Sequence, residues 1–269
     1  MLETVARDGL VLLGCGKMGT ALLTGWLAAG LPASSVWVLE PMPTDWLKST
    51  GVHLNAPLPT APAAALVAVK PQMMGAALPA LQALGNGPTL FISIAAGTSI
   101  AAFEAALGTK TPIVRTMPNT PAMVGRGITG IVGNAYAGAA GLALAEDLML
   151  AVGQVVRLDN EGQIDAVTGL SGSGPAYVFH LIEAMAQAGI AQGLSPDVAM
   201  KLARATVCGA GELAHRAPDS AEQLRINVTS PGGTTAAALA HLMDPVTGLP
   251  PLMARAVAAA TQRGRELSQ

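Results

Sequence analysis

A short apolar run, Leu10–Leu13, leads directly into Gly14-Cys15-Gly16-Lys17-Met18-Gly19, and an apolar-periodic stretch follows to about Ala29 before Gly30. No other feature restricts the fold of this chain as much. A strand that turns on glycine into a helix needs Gly14 for the tight turn, Gly16 for close backbone approach to a ligand, and Gly19 for packing of helix on sheet. The helix start then offers free N–H groups and the positive end of its dipole to a pyrophosphate. A GxGxxG segment alone is also compatible with a purely structural turn. Its position between this strand and this helix points to a dinucleotide.

Glu40 stands just past the next apolar run, about 20 residues beyond Gly19, where a ribose-binding carboxylate usually lies. The alternative is a surface Glu at a strand end. Between Gly19 and Gly51 there is no Arg and the only Lys is Lys48. No dedicated partner for a 2′-phosphate is therefore in place, which favours NADH over NADPH.

The first half of the chain alternates short apolar runs with helical stretches, the pattern of βα units in a parallel sheet. Strands are expected at Leu10–Leu13, Val36–Leu39, Leu66–Val69, Leu90–Ile94 and Ile113–Arg115, with two more near Thr129–Val132 and Gln154–Arg157. The Ala-rich segment Gly138–Val152 fits a helix between that last pair. After about Asp159 the texture changes to helices punctuated by Gly and Pro. They are expected over Pro175–Ile190, Asp197–His215, Ser220–Asn227, a stretch after Gly233, and from about Pro251 to Leu267. The reading is an α/β Rossmann domain with a mostly parallel sheet over residues 1–158, followed by an all-α domain over residues 159–269.

A net charge of −2 supplies no field to hold nucleic acid or an anionic membrane surface. Only 12% of residues are charged and 51% are hydrophobic, so some apolar surface is expected to be covered by another subunit. Cys15 and Cys208 fall in unrelated contexts, without the spacing of a zinc site or a disulfide framework. No signal-peptide pattern is visible at Met1–Gly9 and no apolar run approaches a membrane span, so a cytoplasmic location is expected. His180 and Glu183 share one helix face, but a metal site needs a further ligand and no metal is expected.

Six segments in order carry a family resemblance. They are Gly14-x-Gly16-x-Met18-Gly19, Val69-Lys70-Pro71-Gln72, Ser93-Ile94-Ala95-Ala96-Gly97, Arg115-Thr116-Met117-Pro118-Asn119-Thr120-Pro121-Ala122, Gly172-Ser173-Gly174-Pro175-Ala176-Tyr177-Val178-Phe179 and Ser230-Pro231-Gly232-Gly233-Thr234-Thr235. Together they resemble the signatures of pyrroline-5-carboxylate reductases. The resemblance implies NAD(P)H-dependent reduction of 1-pyrroline-5-carboxylate to L-proline, with subunits joined through the helical domain as a dimer or a multiple of dimers. It places Val69, Lys70 and Pro71 at the nucleotide half of the cofactor and Ala95, Ala96 and Gly97 near the nicotinamide. Asn55 is matched to a family Asn near the adenosine, while Glu161 and Asn227 match positions near the active-site region, at substrate and cofactor respectively. The Pro-Asn-Thr-Pro segment at Asn119 suits a nicotinamide-side loop and a rigid turn equally.

Ser230-Pro231-Gly232-Gly233-Thr234-Thr235 opens a helix with two glycines and flanking hydroxyls. Free N–H groups there suit a carboxylate, although a capped helix start would look the same. The resemblance assigns Ser230, Gly232, Gly233, Thr234 and Thr235 to the substrate carboxylate and turns the Thr235 hydroxyl toward the ring nitrogen. No His, Asp or Cys lies inside this motif to act as a strong acid. The imine therefore binds protonated or takes a proton through Thr235 or water. One departure is that family members often carry a Glu in a Glu-His-Pro segment, where this chain has Ala217-Pro218-Asp219-Ser220.

Two rival readings are a β-hydroxyacid-type dehydrogenase and a non-catalytic dinucleotide-binding protein. The first uses a Lys on the opening helix of its second domain, and Gly169–Gly193 contains none. The second leaves the Ser230–Thr235 motif unexplained.

Overall fold

The computed structural model of the chain describes residues 2–267. Met1, Ser268 and Gln269, the outermost residues of the two expected domains, lie outside the described residues. Eight strands form one sheet: β1 (Leu10–Leu13), β2 (Val36–Leu39), β3 (His53–Leu54), β4 (Ala64–Val67), β5 (Leu90–Ser93), β6 (Ile113–Met117), β7 (Gly127–Gly133) and β8 (Gly153–Arg157). Their order is β3-β2-β1-β4-β5-β6-β7-β8. The first six are all parallel, in the 3-2-1-4-5-6 arrangement of a Rossmann sheet. β7 reverses against β6 and β8 runs parallel to β7.

The helices are α1 (Leu2–Asp8), α2 (Lys17–Ala28), α3 (Asp45–Ser49), α4 (Met74–Ala77), α5 (Ile100–Leu107), α6 (Gly138–Leu150), α7 (Gln163–Val167), α8 (Gly174–Ala191), α9 (Pro196–Arg216), α10 (Ala221–Asn227), α11 (Thr234–Leu242) and α12 (Leu249–Leu267). Every expected strand forms, with ends shifted by a few residues. The expected Leu66–Val69 strand instead runs from Ala64 to Val67, which leaves Val69 and Lys70 free to turn at its carboxyl end. The two-residue edge strand β3 and the helix α1 were not anticipated, being too short for any periodicity to show.

Alternation along each strand sends side chains to opposite faces, and both faces are buried. Leu10, Leu12, Val36, Val38, Leu66 and Ile92 pack with Leu22, Leu23 and Trp26 of α2 on one side. Val11, Leu13, Val67, Phe91 and Ile113 pack with Leu81, Phe103 and Leu107 on the other. Trp26 is fully buried, and its indole N–H donates to the Leu148 carbonyl at 2.8 Å, which joins α2 to α6.

The chain divides into two compact units. The first runs to Gly172 and takes back the stretch from Ala260 on; the second is Ser173–Ala259. Strands end near Asp159, but α7 stays with the sheet because Ile164 and Val167 pack on Met117 and Val132. Within the second unit α8 lies along α9, and the fully buried apolar residues described there are Ala186, Ala199 and Ala203 alone. Phe179, Leu202, Leu213 and Val228 of the same unit are all more than half exposed in the single chain, at 61%, 53%, 54% and 63%.

Candidate functional site

Gly14 sits at φ +88°, where a side chain would collide with Val69 and the Ala68 backbone. Its N–H donates to the Leu39 carbonyl at 2.8 Å, which holds the turn against the end of β2. A Cβ at Gly19 would lie 2.6 Å from the Gly14 carbonyl oxygen, so only glycine lets the helix start this close to the strand. Gly16 differs from both, because a Cβ there would meet nothing within 4 Å. Its missing side chain is not demanded by packing, and what it leaves is open space over the start of α2. No side chain caps that start, so its first N–H groups remain directed outward. This is an arrangement that fits a pyrophosphate.

Glu40 crosses this turn. One carboxylate oxygen accepts from the Cys15 N–H at 2.8 Å and the other from the Met42 N–H at 3.0 Å. The carboxylate is thereby fixed beside the Gly-rich loop. Asn55 is close by, and its amide pairs with the Glu40 backbone in both directions at 2.9 Å. Burial pushes the Cys15 thiol up from its usual pKa, the Thr20 hydroxyl opposes this, and the Glu40 charge adds to it. Cys15 is thus a protonated spacer in the turn. Its carbonyl accepts from the Thr20 hydroxyl at 3.1 Å.

Lys70 is exposed at the end of β4 and opens a single tight turn with Pro71 at its first position. Ala95, Ala96 and Gly97 follow β5, with Gly97 at φ +75°. A Cβ at Gly97 would lie 2.7 Å from the Leu267 carbonyl oxygen, so the last turn of α12 rests on this segment. Glu161 reaches the same region from beyond β8. Its Oε1 accepts from the Ile100 N–H at the start of α5 and from Arg115 Nη1, each at 2.8 Å. Arg115 was not among the expected site residues. A charge inside the apolar run of β6 was the available signal, since a cation buried to 3% exposure needs a partner. Asn119 spends its amide on the Ile128 N–H and the Ser171 carbonyl, which ties the Pro-Asn-Thr-Pro segment down as a rigid turn.

The remaining expected residues belong to the second unit. Ser230 to Gly233 form a turn in which Gly232 takes φ +69° and the Gly233 N–H donates to the Ser230 carbonyl at 3.0 Å. Gly233 is the N-cap of α11 and supplies no side chain, so Thr234 and Thr235 begin the helix with uncapped N–H groups. Asn227 lies at the end of α10, where its side chain accepts from Gln223 at 2.7 Å. The first unit therefore brings Gly14 to Gly19, Glu40, Asn55, Val69, Lys70 and Pro71 to one end of the sheet. Ser230, Gly232, Gly233, Thr234, Thr235 and Asn227 are grouped separately, within two consecutive helices and their link. Among the described residues no three His, Cys, Asp or Glu side chains cluster closely enough to hold a metal ion. His180 instead pairs with Glu183 at 3.2 Å on the surface of α8.

Residues 161–267 match the model described as pyrroline-5-carboxylate reductase dimerisation, and residues 10–97 match that of the coenzyme F420-dependent NADP oxidoreductases. A pyrroline-5-carboxylate reductase from Pseudomonas aeruginosa is 40% identical over 266 residues, covering 97% of each chain. The chain belongs to the pyrroline-5-carboxylate reductase family. Among solved members of that family, the reductase from Coxiella burnetii superposes with a TM-score of 0.90 at 34% identity, covering 97% of this chain and 99% of its own. The Plasmodium falciparum pyrroline carboxylate reductase, solved with NADP bound, gives 0.82 at 28% identity, covering 98% and 99%. The fold is therefore that of the family over nearly its whole length, and the dimerisation region holds most of the large apolar side chains that stand exposed in the single chain. No helix among the described residues is long and apolar enough to cross a membrane.

Proposed function

We propose that this chain reduces 1-pyrroline-5-carboxylate to L-proline, the last step of proline biosynthesis, with NADH or NADPH as reductant and NADH preferred. The observation that carries the reading is the uncapped start of α2 with open space over Gly16 and the Glu40 carboxylate fixed beside it, in a chain of this family. Gly14, Cys15, Gly16, Lys17, Met18 and Gly19 seat the pyrophosphate, and Glu40 accepts from the adenosine ribose. Val69, Lys70 and Pro71 flank the nucleotide half, with Asn55 near the adenosine. Ala95, Ala96 and Gly97 serve the nicotinamide end, to which Asn227 and Glu161 are assigned as neighbours of cofactor and substrate.

When bound, the reduced nicotinamide supplies a hydride to the imine carbon. The chain's own contribution is orientation and a dry environment. Ser230, Gly232, Gly233, Thr234 and Thr235 hold the substrate carboxylate at the start of α11, and the Thr235 hydroxyl positions the ring nitrogen. That nitrogen arrives protonated or gains its proton through Thr235 or water, because the motif contains no stronger acid. Residues 1–158 act as the dinucleotide-binding domain and residues 159–269 as the substrate-binding and dimerisation domain of a cytoplasmic homo-oligomer. Its partners are the small imine and further copies of itself, with neither nucleic acid nor membrane among them.

The test is an assay of reduced-cofactor absorbance on addition of pyrroline-5-carboxylate, with NADH and NADPH in parallel. Turnover with a higher kcat/KM for NADH is the expected result. No turnover with either removes the reductase reading, and oxidation of a β-hydroxyacid with NAD in its place would establish the rival dehydrogenase.

A further inference from the structure

Glu40 is the first residue beyond β2, and the sheet ladder stops one step before it: Leu39 pairs with Leu13 on one side and Val38 with Leu54 on the other. Pro41 and Pro43 follow, so the chain is about to leave the sheet with few amides to anchor it. Asn55 supplies the missing anchor. It is the first residue past β3, and its N–H donates to the Val38 carbonyl at 2.8 Å. Its side-chain oxygen accepts from the Glu40 N–H, and its side-chain nitrogen donates to the Glu40 carbonyl, both at 2.9 Å. The amide thus does for Glu40 what another strand residue would do. It extends the ladder by one position.

Only asparagine fits this task well. Asn55 sits at φ +50°, in the left-handed region that Asn and Asp enter more easily than other L-residues. Glycine would accept the backbone but bring no amide. Aspartate would accept from the Glu40 N–H yet face the Glu40 carbonyl with a second oxygen. With its backbone held, Glu40 has both carboxylate oxygens taken up, by Cys15 and Met42. A carboxylate free to swing into water would relieve most of its repulsion against a 2′-phosphate. One that is clamped cannot.

We infer that Asn55 is a positioning residue for cofactor choice, acting by holding Glu40 against the Gly-rich turn rather than by touching the cofactor. The inference rests on the reading of Glu40 as the ribose-side carboxylate. Its test is a double-mutant cycle with Asn55→Gly, Glu40→Ser and the pair, reading KM and kcat for NADH and NADPH. Asn55→Gly should raise KM for NADH about tenfold, the equivalent of one charge-assisted hydrogen bond, and lower KM for NADPH as the freed carboxylate swings away from the 2′-phosphate. In the Glu40→Ser background the same change should move the NADH to NADPH ratio by less than about twofold. A general structural role would weaken both cofactors alike, and a direct contact would shift the ratio equally in both backgrounds. Either result overturns the inference, as does a parent protein that does not prefer NADH. Should Asn55→Gly fail to fold, Asn55→Asp keeps the backbone conformation and should move the ratio in the same direction. Fluorescence titration with NADH and NADPH reads the preference without any imine, so failure here is distinguishable from failure of the reductase reading.

Discussion

Glu161→Ala should be far more damaging than the loss of one partly exposed carboxylate would suggest. Arg115 lies on β6 at 3% exposure; its Nη1 is held by Glu161 at 2.8 Å, and its Nε and Nη2 have no hydrogen-bond partner. Removing Glu161 leaves a buried, unpaired guanidinium, a change that costs about 3–5 kcal/mol in general. The Glu161 side chain is itself 31% exposed, so water already screens the pair and the lower end of that range applies. Loss of the acceptor for the Ile100 N–H adds about 1 kcal/mol. A total near 4 kcal/mol corresponds to a fall in Tm of roughly 8–16 °C for a chain of this size. Arg115→Met removes the buried charge instead and leaves Glu161 able to hydrate, so its cost should stay near 1–2 kcal/mol. The double variant should then be more stable than Glu161→Ala alone. Thermal unfolding followed by circular dichroism and by tryptophan fluorescence, at one fixed protein concentration, measures all three. A Glu161→Ala variant as stable as Arg115→Met, or a double variant no better than Glu161→Ala, would refute the argument that the buried charge dominates.

Glu40→Ser should narrow the NADH over NADPH preference by removing a fixed negative charge from the ribose side, read as the ratio of kcat/KM values; an unchanged ratio would show that the carboxylate does not face the ribose. Thr235→Ala should lower kcat/KM for the imine by about tenfold to a hundredfold, the cost of one polar group left unpaired in a dry site, while the Kd for NADH stays put. Equal turnover in parent and variant would remove the hydroxyl from the mechanism. The Asp244 carboxyl is held below the usual range by the N–H groups of Thr247 and Val246 and by the Thr247 hydroxyl. A depressed carboxyl stabilises the fold above its unfolded pKa, about 3.9, and that contribution is lost as pH falls through the lower folded value. The turn between α11 and α12 should therefore persist at pH 4, and an ordinary Asp244 titration by NMR would contradict this.

Much of the fold was legible because the signals are local. Alternating Val, Ile and Leu runs, glycines at strand ends and a change of texture near Asp159 each depend on residues within a few positions of one another. Five of the six parallel strands follow from those signals, and right-handed βα units make them a parallel sheet, while the two-residue edge strand β3 gave no signal. The same locality exposed the Gly-rich turn and the Ser230–Thr235 helix start, where a few consecutive residues make the whole device. Sequence reading failed where a residue's partner is far along the chain. Asn55 meets Glu40 across 15 positions and Arg115 meets Glu161 across 46, distances at which neither periodicity nor motif spacing has any grip. In sequence Glu40 and Asn55 looked like two separate cofactor candidates, whereas in the structure one is the support of the other. The reversal of β7 was equally hidden, since an apolar run carries no mark of its direction.

The second unit shows why composition can speak where motifs cannot. Its fully buried apolar residues are three alanines, which bring little surface out of water, while Phe179, Leu202, Leu213 and Val228 stand exposed in the single chain. At about 25 cal/mol per Å² of apolar surface, burial of alanines alone is a weak counterweight to the entropy of ordering the four helices α8 to α11. The larger contribution must come from the exposed set once it is covered, and a match to a dimerisation region over residues 161–267 says what covers it: another copy of the same chain. The Ser230–Thr235 motif lies within this same unit, so the geometry of its N–H groups depends on helices that a lone chain leaves underpacked. Assembly is then a condition for a rigid helix start at Thr234 and Thr235.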